Sequence, residues 1–260
     1  MTAAIAKGVA DIDPMPVSDL AAVEAVVRRR YRAAEQGDPA ALADVLHPVW
    51  AAKRAIAGDQ SEVETRAAVL ARTSATGRRI AAAPDVTSVQ MCFGDFAIVR
   101  TDEWSPPSTC IHLLFKERGT WRIAGEAGVA ASDGLRDPQF TPRAEEAAVL
   151  DVLAGYYRAV TTADADIIRR SFAPFWQMKN HQDGVVAAEE KPSFVERIAR
   201  RPLPGYWDDR QIADVQIVAD RLAYVRVDKP SGPSTTVFLF MKTAGAWSII
   251  DKAWSARKPA

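Results

Sequence analysis

The two halves of this 260-residue chain repeat each other at a constant offset of 126 residues. From residue 22 to residue 127, 29 of 106 positions carry the same residue as the position 126 further on, whereas composition alone would give roughly seven or eight. The phrase LHPVWAAKRAIAG, which begins at Leu46, returns as FAPFWQMKNHQDG at Phe172. A period of this length indicates two whole domains in tandem and not a solenoid. The predicted first domain, linker and second domain span residues 18–128, 129–143 and 144–256.

Each half has the pattern of helices followed by strands. Apolar residues recur at helical spacing from Leu20 to Glu35, and Asp38-Pro39 is typical of an N-cap with proline at the first helical position. A strand is expected around Trp50, and a third helix from Ser61 to Arg72. Four β-rich segments follow, VTSVQMCF, FAIVRTDEW, TCIHLLF and TWRIAGEA. This order predicts the α+β class, with a curved antiparallel sheet in each domain.

Composition and charge exclude several classes of protein. The 33 basic and 33 acidic residues cancel, whereas a nucleic-acid-binding protein usually shows a basic excess or stripe. The first residues lack the features of a secretory signal, and no apolar run reaches the roughly 18 residues that a membrane-spanning helix needs. Cys92 and Cys110 lie in different strand-like segments and form no CxxC, so we expect free thiols. We expect a cytoplasmic protein without nucleic-acid or membrane partners.

The repeated residues carry a resemblance to a known family. Both copies show a helix, a second helix with an aspartate near its start, a Pro-x-Trp phrase, a third helix, and strands that end in the pattern K..G.W.I. This order resembles the nuclear transport factor 2-like superfamily, in particular its SnoaL-like and putative lumazine-binding branches. The resemblance covers both copies and implies a cone of sheet around a long helix, with an apolar pocket at the open end. It also implies that the two copies pair sheet to sheet within one chain, as a pseudo-dimer.

Polar residues concentrate in the second copy of the repeated phrase. Strand alternation places Phe175, Gln177, Lys179 and His181 on one face, and Asp183 follows in the turn. Proton transfer requires titratable side chains beside the substrate, so Lys179, His181 and Asp183 are candidate catalytic residues, and the second domain is the candidate active half. Alternatively, these three residues only solvate a hairpin. The first copy has Val49, Ala51, Lys53, Ala55 and Ala57 at the same positions.

His112 supports the opposite assignment. It lies in the strand-like run CIHLLF, and its counterpart in the second copy is Phe238. A lone histidine in such a run is often a core residue, although a neutral imidazole in an apolar pocket is also a competent general acid or base. With Tyr31 and Arg100 as partners, His112 would make the first domain the active half. Tyr157, the counterpart of Tyr31, is a further candidate; both tyrosines are alternatively packing residues with a polar tip.

The remaining candidates are assigned to substrate binding. Arg100 and Asp102, repeated as Arg226 and Asp228, lie two residues apart and share a strand face. Each pair is either an ion pair between strands or an anchor for a substrate oxygen. Further candidates for the pocket lining are Trp50, Trp176 and Lys53.

No sequence motif calls for a cofactor. The chain contains no GxSxG, P-loop, GxGxxG or HExxH motif, and its three histidines lack metal-ligand spacing. We therefore expect neither a metal nor an organic cofactor.

Our leading hypothesis, by analogy with the family, is a cofactor-independent lyase of the dehydratase or retro-aldol type. It would act by general acid–base catalysis on a small aromatic hydroxylated substrate such as a diarylpropane. The alternatives are an isomerase or cyclase of the ketosteroid isomerase or SnoaL type, a non-catalytic small-molecule binding module, and a structural partner that assembles through its sheet. Such a chain is also a candidate homo-oligomer.

Overall fold

The structure is a computed structural model, and it describes residues 17–56, 60–75, 84–92, 94–104, 107–130, 142–182, 184–232 and 234–256. The first copy, repeat one, contains α1 (Val17–Gln36), α2 (Pro39–Val45), β1 (Leu46–Ile56), β2 (Gln60–Thr65), α3 (Arg66–Ala75), β3 (Asp85–Cys92), β4 (Phe96–Trp104), β5 (Pro107–Glu117) and β6 (Thr120–Ala130). Repeat two contains α4 (Pro142–Thr162), α5 (Ala165–Ser171), β7 (Phe172–Gln182), β8 (Val185–Glu190), α6 (Lys191–Arg200), β9 (Gln211–Val218), β10 (Leu222–Lys229), β11 (Ser234–Thr243) and β12 (Ala246–Ala256).

Each repeat forms one six-stranded sheet, with the orders β2-β1-β6-β5-β4-β3 and β8-β7-β12-β11-β10-β9. β1 pairs in parallel with β6, and β7 with β12, whereas the other neighbouring strands are antiparallel. The α+β class is confirmed, and the sheets are mixed because of this one parallel pair in each. β6 and β12 each carry one extra residue, at Ala124 and Ile250, where the pairing register shifts.

Local signals in the sequence fix the start of the short helices and the last hairpin of each repeat. The Asp38 carboxylate accepts a hydrogen bond from the backbone N–H of Ala41 at 2.9 Å, which caps α2 as expected. Asp164 caps α5 in the same way. Arg118 and Gly119 both have positive φ, at 49° and 82°, which a two-residue type I′ hairpin turn requires.

The segment after the first hairpin differs from the sequence expectation. Residues 60–65 form β2, which pairs with β1, and α3 begins only at Arg66. The expected start of the helix at Ser61 was therefore wrong by five residues, because the pairing of this segment with β1 is a tertiary contact that the local pattern does not show. Three residues separate β1 from β2, but only two separate β7 from β8. The offset between equivalent elements is therefore 125 residues for β2 and α3, and it returns to 126 at β3 and β9.

Hydrogen bonds hold each long helix, α1 or α4, against the last hairpin of its own repeat. The carboxylate of Asp19 in α1 accepts hydrogen bonds from Lys116 Nζ at 2.7 Å and from Trp121 Nε1 at 3.1 Å. In repeat two, Glu145 holds the equivalent lysine and tryptophan at 2.7 and 2.6 Å. The repeated K..G.W pattern therefore serves to anchor the helix.

The two sheets pack face to face, and their helices lie on the outer faces. One apolar cluster combines residues of both repeats, among them Phe96, Phe115, Tyr224 and Leu239. Two further clusters lie inside the cones, between each sheet and its own helices. The expected intrachain pseudo-dimer is confirmed, so every sheet has one face toward the other repeat and one face toward its own cone. Most of the expected linker lies outside the described residues.

Candidate functional site

Lys179 lies between the two sheets and not in a cone. Its Nζ is 2.6 Å from Asp251 Oδ1. Lys53 of repeat one approaches the same carboxylate from the other side, at 2.8 Å from Oδ2 and 2.7 Å from the Ile250 carbonyl oxygen. All three charged side chains are fully buried. This triad joins the repeats, and the strand face that the sequence indicated as catalytic is the face turned toward the other sheet.

The triad is asymmetric because the counterpart of Asp251 is Gly125. A Cβ atom at Gly125 would lie 3.1 Å from Lys179 Nζ, so the glycine leaves room for this ammonium. Two buried lysines thus share one carboxylate. Burial, opposed by Asp251 and reinforced by Lys179, lowers the pKa of Lys53 to about 7.

His181 also serves the contact between the repeats. Its Nδ1 lies 2.8 Å from the Asp95 carboxylate of repeat one, which also accepts a hydrogen bond from Ser255 at 2.7 Å. The third candidate of this group, Asp183, lies outside the described residues.

The cone of repeat two encloses a cavity of about 360 Å³. Its walls come from α4, β7, β8, α6 and β12 and from the segment 201–210, and they are largely apolar and aromatic. Lys252, fully surrounded by the cone, contributes the one ammonium group of this lining. The other lining residues are Tyr156, Val160, Met178, Asn180, Glu189, Phe194, Arg197, Ile198, Leu203, Tyr206 and Trp254.

Lys252 bridges two tyrosines in the wall of this cavity. Its Nζ donates hydrogen bonds to the hydroxyl oxygens of Tyr156 at 3.1 Å and of Tyr206 at 2.9 Å. It also lies 5.4–5.9 Å from the ring centres of both tyrosines, Phe194 and Phe238. Aromatic faces stabilise a desolvated cation, and within the described chain no carboxylate contact of Lys252 is present. The ammonium group of Lys252 therefore makes its hydrogen bonds to the phenolic oxygens of Tyr156 and Tyr206.

The pKa values of Tyr156 and Tyr206 are shifted in opposite directions. Burial, together with Tyr206 and Tyr157, raises the pKa of Tyr156 well above its usual value. Burial also opposes ionisation of Tyr206, but Lys252 and Arg210 outweigh it and lower the pKa of that tyrosine. Paired groups whose pKa values are pushed apart are suited to act as acid and base in one site.

The segment 201–210 closes the cavity and carries Tyr206. The Leu203 N–H donates to the Val160 carbonyl oxygen at 3.1 Å, and the Asp209 carboxylate accepts from the Ser231 N–H at 2.6 Å. The Arg210 guanidinium lies 4.5 Å from the Tyr206 ring centre. These contacts hold Tyr206 against Lys252.

Repeat one has a buried cluster of opposite character at the equivalent place. Glu126, the counterpart of Lys252, accepts two hydrogen bonds from Arg30 at 2.8 Å each. The same carboxylate lies 3.1 Å from Nδ1 of His112, whose Nε2 is 3.1 Å from the Tyr31 hydroxyl and 3.0 Å from Thr101 Oγ1. The structure therefore brings His112 and Tyr31 together, as expected for the first domain.

Arg100 is not part of this cluster. It pairs with Asp102 at 3.1 Å, and Arg226 pairs with Asp228 at 2.7 Å. Both pairs are partly exposed, and each lies within one strand, whereas the expected ion pair joined two strands. The Tyr157 hydroxyl is buried without a partner among the described residues. Trp50 and Trp176 are buried in the cone cores, where Trp176 stacks on Phe172 at 4.1 Å.

Cys110, His112 and Glu126 have candidate metal-ligand atoms that all lie within 4.8 Å of one another. Both oxygens of Glu126 already accept hydrogen bonds from Arg30. A permanent cation at this distance opposes a bound metal ion, so these residues do not fit a metal centre.

Sequence reasoning missed Tyr156 and Tyr206 and gave Lys252 no role of its own. The usable signal was the exchange of Glu126 for Lys252 at the same strand position. Strand alternation then turns Lys252 to the face opposite Asp251, together with Trp254. Tyr206 carried no signal, because it lies where the offset between the copies changes.

Among the described residues, no helix has both the length and the apolar character needed to cross a membrane. Residues 144–255 match the model of a family described as putative lumazine-binding. No curated protein matches the chain.

Several solved structures are similar to half of the chain. An NTF-2 like protein of unknown function from Silicibacter pomeroyi has 18% sequence identity and a TM-score of 0.40, covering 45% of this chain and 100% of its own. An NTF2-like protein of unknown function from Shewanella baltica has 23% identity and a TM-score of 0.40, covering 46% and 100%. A ketosteroid isomerase-like protein from Erwinia carotovora atroseptica has 16% identity and a TM-score of 0.34, covering 44% and 98%.

The residues matched by the family model coincide with repeat two, and the same order of helices and strands is present in repeat one. Both sheets also share one strand order and one bulge position. Residues 144–255 are therefore similar to the putative lumazine-binding family, and repeat one has the same fold in tandem.

Proposed function

We propose that repeat two is a cofactor-independent acid–base catalyst for a small hydroxylated aromatic molecule, and that its reaction is of the lyase type. The observation that carries this proposal is Lys252, which bridges Tyr156 and Tyr206 at 3.1 and 2.9 Å in the wall of an aromatic cavity. Repeat one, in this account, is the intramolecular partner that holds the sheet of repeat two.

The size and lining of the cavity support an aromatic substrate. A volume of about 360 Å³ lies at the lower end of the range for small-molecule pockets, roughly 300–1,000 Å³. It suits one or two rings, which would stack on Phe194 and Trp254. Glu189 and Arg197, paired at 2.7 Å, lie in the same wall and would bind a polar substituent.

The roles of the three polar groups follow from their charges. Tyr206, with its lowered pKa, is the general base that takes a proton from the substrate hydroxyl. In a retro-aldol cleavage the resulting alkoxide forms a carbonyl while the adjacent carbon–carbon bond breaks. The electron pair is delocalised as an enolate, whose oxygen accepts a hydrogen bond from Tyr156, and Tyr206 returns the proton to carbon. Lys252 stabilises the phenolate of Tyr206.

A dehydration needs the same groups in another order. Tyr206 then removes a proton from carbon, and the hydroxyl group leaves as water with a proton from Tyr156. Isomerisation begins with the same removal of a proton from carbon, and the protonated Tyr206 then returns this proton to another carbon of the enolate.

A binding function without chemistry is favoured by one finding, the match of repeat two to a family described as putative lumazine-binding. A lumazine is a flat heteroaromatic molecule with carbonyl oxygens. Such a ligand would stack between the aromatic walls, with one carbonyl oxygen accepting a hydrogen bond from Lys252.

The test is a panel of hydroxylated aryl ketones and aryl propanes, with lumazine as a binding control, incubated with the wild-type protein and with Tyr206→Phe. We expect product formation from at least one hydroxylated compound, with the carbon–carbon or carbon–oxygen cleavage products identified by mass spectrometry. Loss of the general base lowers turnover by about 10²-fold or more. Tight binding of lumazine without turnover of any compound would support the binding module and contradict the lyase.

A further inference from the structure

Repeat two has a second cavity beside α4, which we name the α4–β9 groove. It is lined by one face of α4 from Leu150 to Thr162, by Trp207 of the segment 201–210 and by Ile212 at the start of β9. Its volume is about 350 Å³, and it shares no lining residue with the cavity of the proposed function. The two cavities are therefore distinct, and an inference about the groove does not depend on the proposed function.

The walls of the α4–β9 groove are apolar and partly open to water. Trp207 is 38% exposed and Ile212 is 43% exposed, although both side chains are large and apolar. The Trp207 ring lies against Tyr157, with the two ring centres 4.1 Å apart. Large apolar side chains that stay in contact with water around one concave surface are typical of a binding site.

The equivalent face of α1 in repeat one is polar and charged. Repeat one has Glu24, Arg28, Glu35 and Gln36 where repeat two has Leu150, Ala154, Thr161 and Thr162. Glu24 and Arg28 form an ion pair at 3.8 Å on the helix surface, as expected for a face that is turned to water. The loss of these charges is therefore specific to repeat two, the repeat in which this helix face lines a groove.

Tyr157 also differs from its counterpart in repeat one. The counterpart, Tyr31, is hydrogen-bonded to Thr101 and His112 at 3.0 and 3.1 Å, whereas repeat two has valine and phenylalanine at those two positions. The Tyr157 hydroxyl is buried without a partner among the described residues. Buried polar groups are paired in most native structures, so Tyr157 gives the wall of the groove an unsatisfied donor.

Arg158 supplies the charge of the α4–β9 groove. It is the one charged residue of the described lining, its side chain is exposed, and it forms no ion pair with any other described residue. A guanidinium group binds a carboxylate through two parallel hydrogen bonds. The groove therefore combines apolar and aromatic walls with a single unpaired positive charge.

We propose that the α4–β9 groove binds a small aryl carboxylate, with the ring against Trp207 and the carboxylate on Arg158. A volume of about 350 Å³ suits a molecule of one or two rings. An aryl group covers the exposed apolar walls and packs on the indole ring. The single anionic group of such a ligand matches the single cation of the lining.

The test is calorimetric titration of the full chain with 2-naphthoate and with the neutral 2-naphthamide. Wild type should bind naphthoate about tenfold more tightly than naphthamide, because only the anion forms charged hydrogen bonds with Arg158. Arg158→Gln should abolish this preference and leave the naphthamide affinity unchanged. Arg32→Gln, at the equivalent position of repeat one, is the matched control and should keep the preference. Trp207→Ala should weaken the binding of both probes by about tenfold.

Lys252→Met separates the groove from the first cavity, and this variant should still prefer naphthoate. Naphthoate binding that is lost in Lys252→Met but kept in Trp207→Ala would place the ligand in the first cavity and overturn the proposal. Equal wild-type affinity for the two probes, or no binding of naphthoate at millimolar concentration, would also overturn it. So would a wild-type dimer in sedimentation that Trp207→Ala converts to a monomer, since a second copy of the chain would then cover the groove. The melting temperature of each variant shows that it is folded.

Discussion

Glu126 and Lys252 occupy the same strand position in the two repeats and carry opposite charges into the two cones. Glu126 is neutralised by Arg30 and contacts His112, whereas Lys252 contacts only phenols and aromatic rings among the described residues. A carboxylate bound by a guanidinium is chemically satisfied, whereas an ammonium group between two phenols favours a negative charge on oxygen. This difference gives the two cones opposite electrostatic character.

The two tyrosines of the cavity are expected to have separable roles. Tyr206→Phe removes the base, so turnover should fall by about 10²-fold or more at every pH. Tyr156→Phe leaves the base in place and removes one hydrogen-bond donor to the oxyanion, so the rate should fall while its rise with pH remains. The measurement is the pH dependence of kcat/KM, on the substrate found in the panel, for the wild type and both variants. A Tyr206→Phe enzyme with a wild-type pH profile would contradict the assignment of the base.

Lys53 should make the free energy of unfolding depend on pH. Its pKa is lowered to about 7 in the folded protein, from a usual value of 10.5. Below pH 7 both the folded and the unfolded states hold the proton, so the slope from this group vanishes. Above pH 7 the unfolded state holds one proton more, so stability rises with pH, by up to about 1.4 kcal/mol per pH unit.

Urea unfolding at pH 6, 7, 8 and 8.5 measures this contribution as the difference between the wild type and Lys53→Met. Titrating groups outside the triad act on both proteins and cancel in that difference. Parallel stability curves for the two proteins would show that Lys53 keeps its proton in the buried triad.

Asp251 should be the most sensitive carboxylate of the interface between the repeats. Asp251→Asn leaves the ammonium groups of Lys53 and Lys179 buried without a counter-charge, and breaking a buried ion pair in this way costs about 3–5 kcal/mol. Asp228→Asn is the matched control, because it breaks a partly exposed pair with Arg226 and should change stability by about 1 kcal/mol or less. Equal losses of unfolding free energy in the two variants would contradict the role of the triad.

Much of the fold could be predicted from the sequence because its signals are local. The constant offset revealed the duplication, Asp38 marked the start of α2, and Arg118-Gly119 marked the final turn. The start of α3 was placed too early because the SEVET segment was taken for helix, whereas it pairs with β1 as a strand. The parallel pairing of β1 with β6 is a long-range contact that carries no local signal.

The candidate site was harder to predict, because both faces of each sheet are buried. Alternation along β7 correctly separated Lys179 and His181 from Trp176 and Met178. It did not indicate which face meets the other repeat and which meets the cavity, since that depends on how the sheets pack. Tyr206 comes from a segment outside the regular repeat. The lysine that both copies retain, Lys53 in repeat one and Lys179 in repeat two, lies in the contact between the repeats and not in a cavity.

The most direct test of the account compares the binding of 2-naphthol, whose fluorescence distinguishes the phenol from the phenolate, in three proteins with confirmed folding. Wild type should bind the naphtholate form preferentially. Lys252→Met should weaken binding of that form by about 10- to 100-fold, the effect of losing a charged hydrogen bond, while Tyr31→Phe in repeat one should bind as wild type does. Equal naphtholate affinity in wild type and Lys252→Met, or a loss of affinity in Tyr31→Phe alone, would contradict the assignment of the site to repeat two.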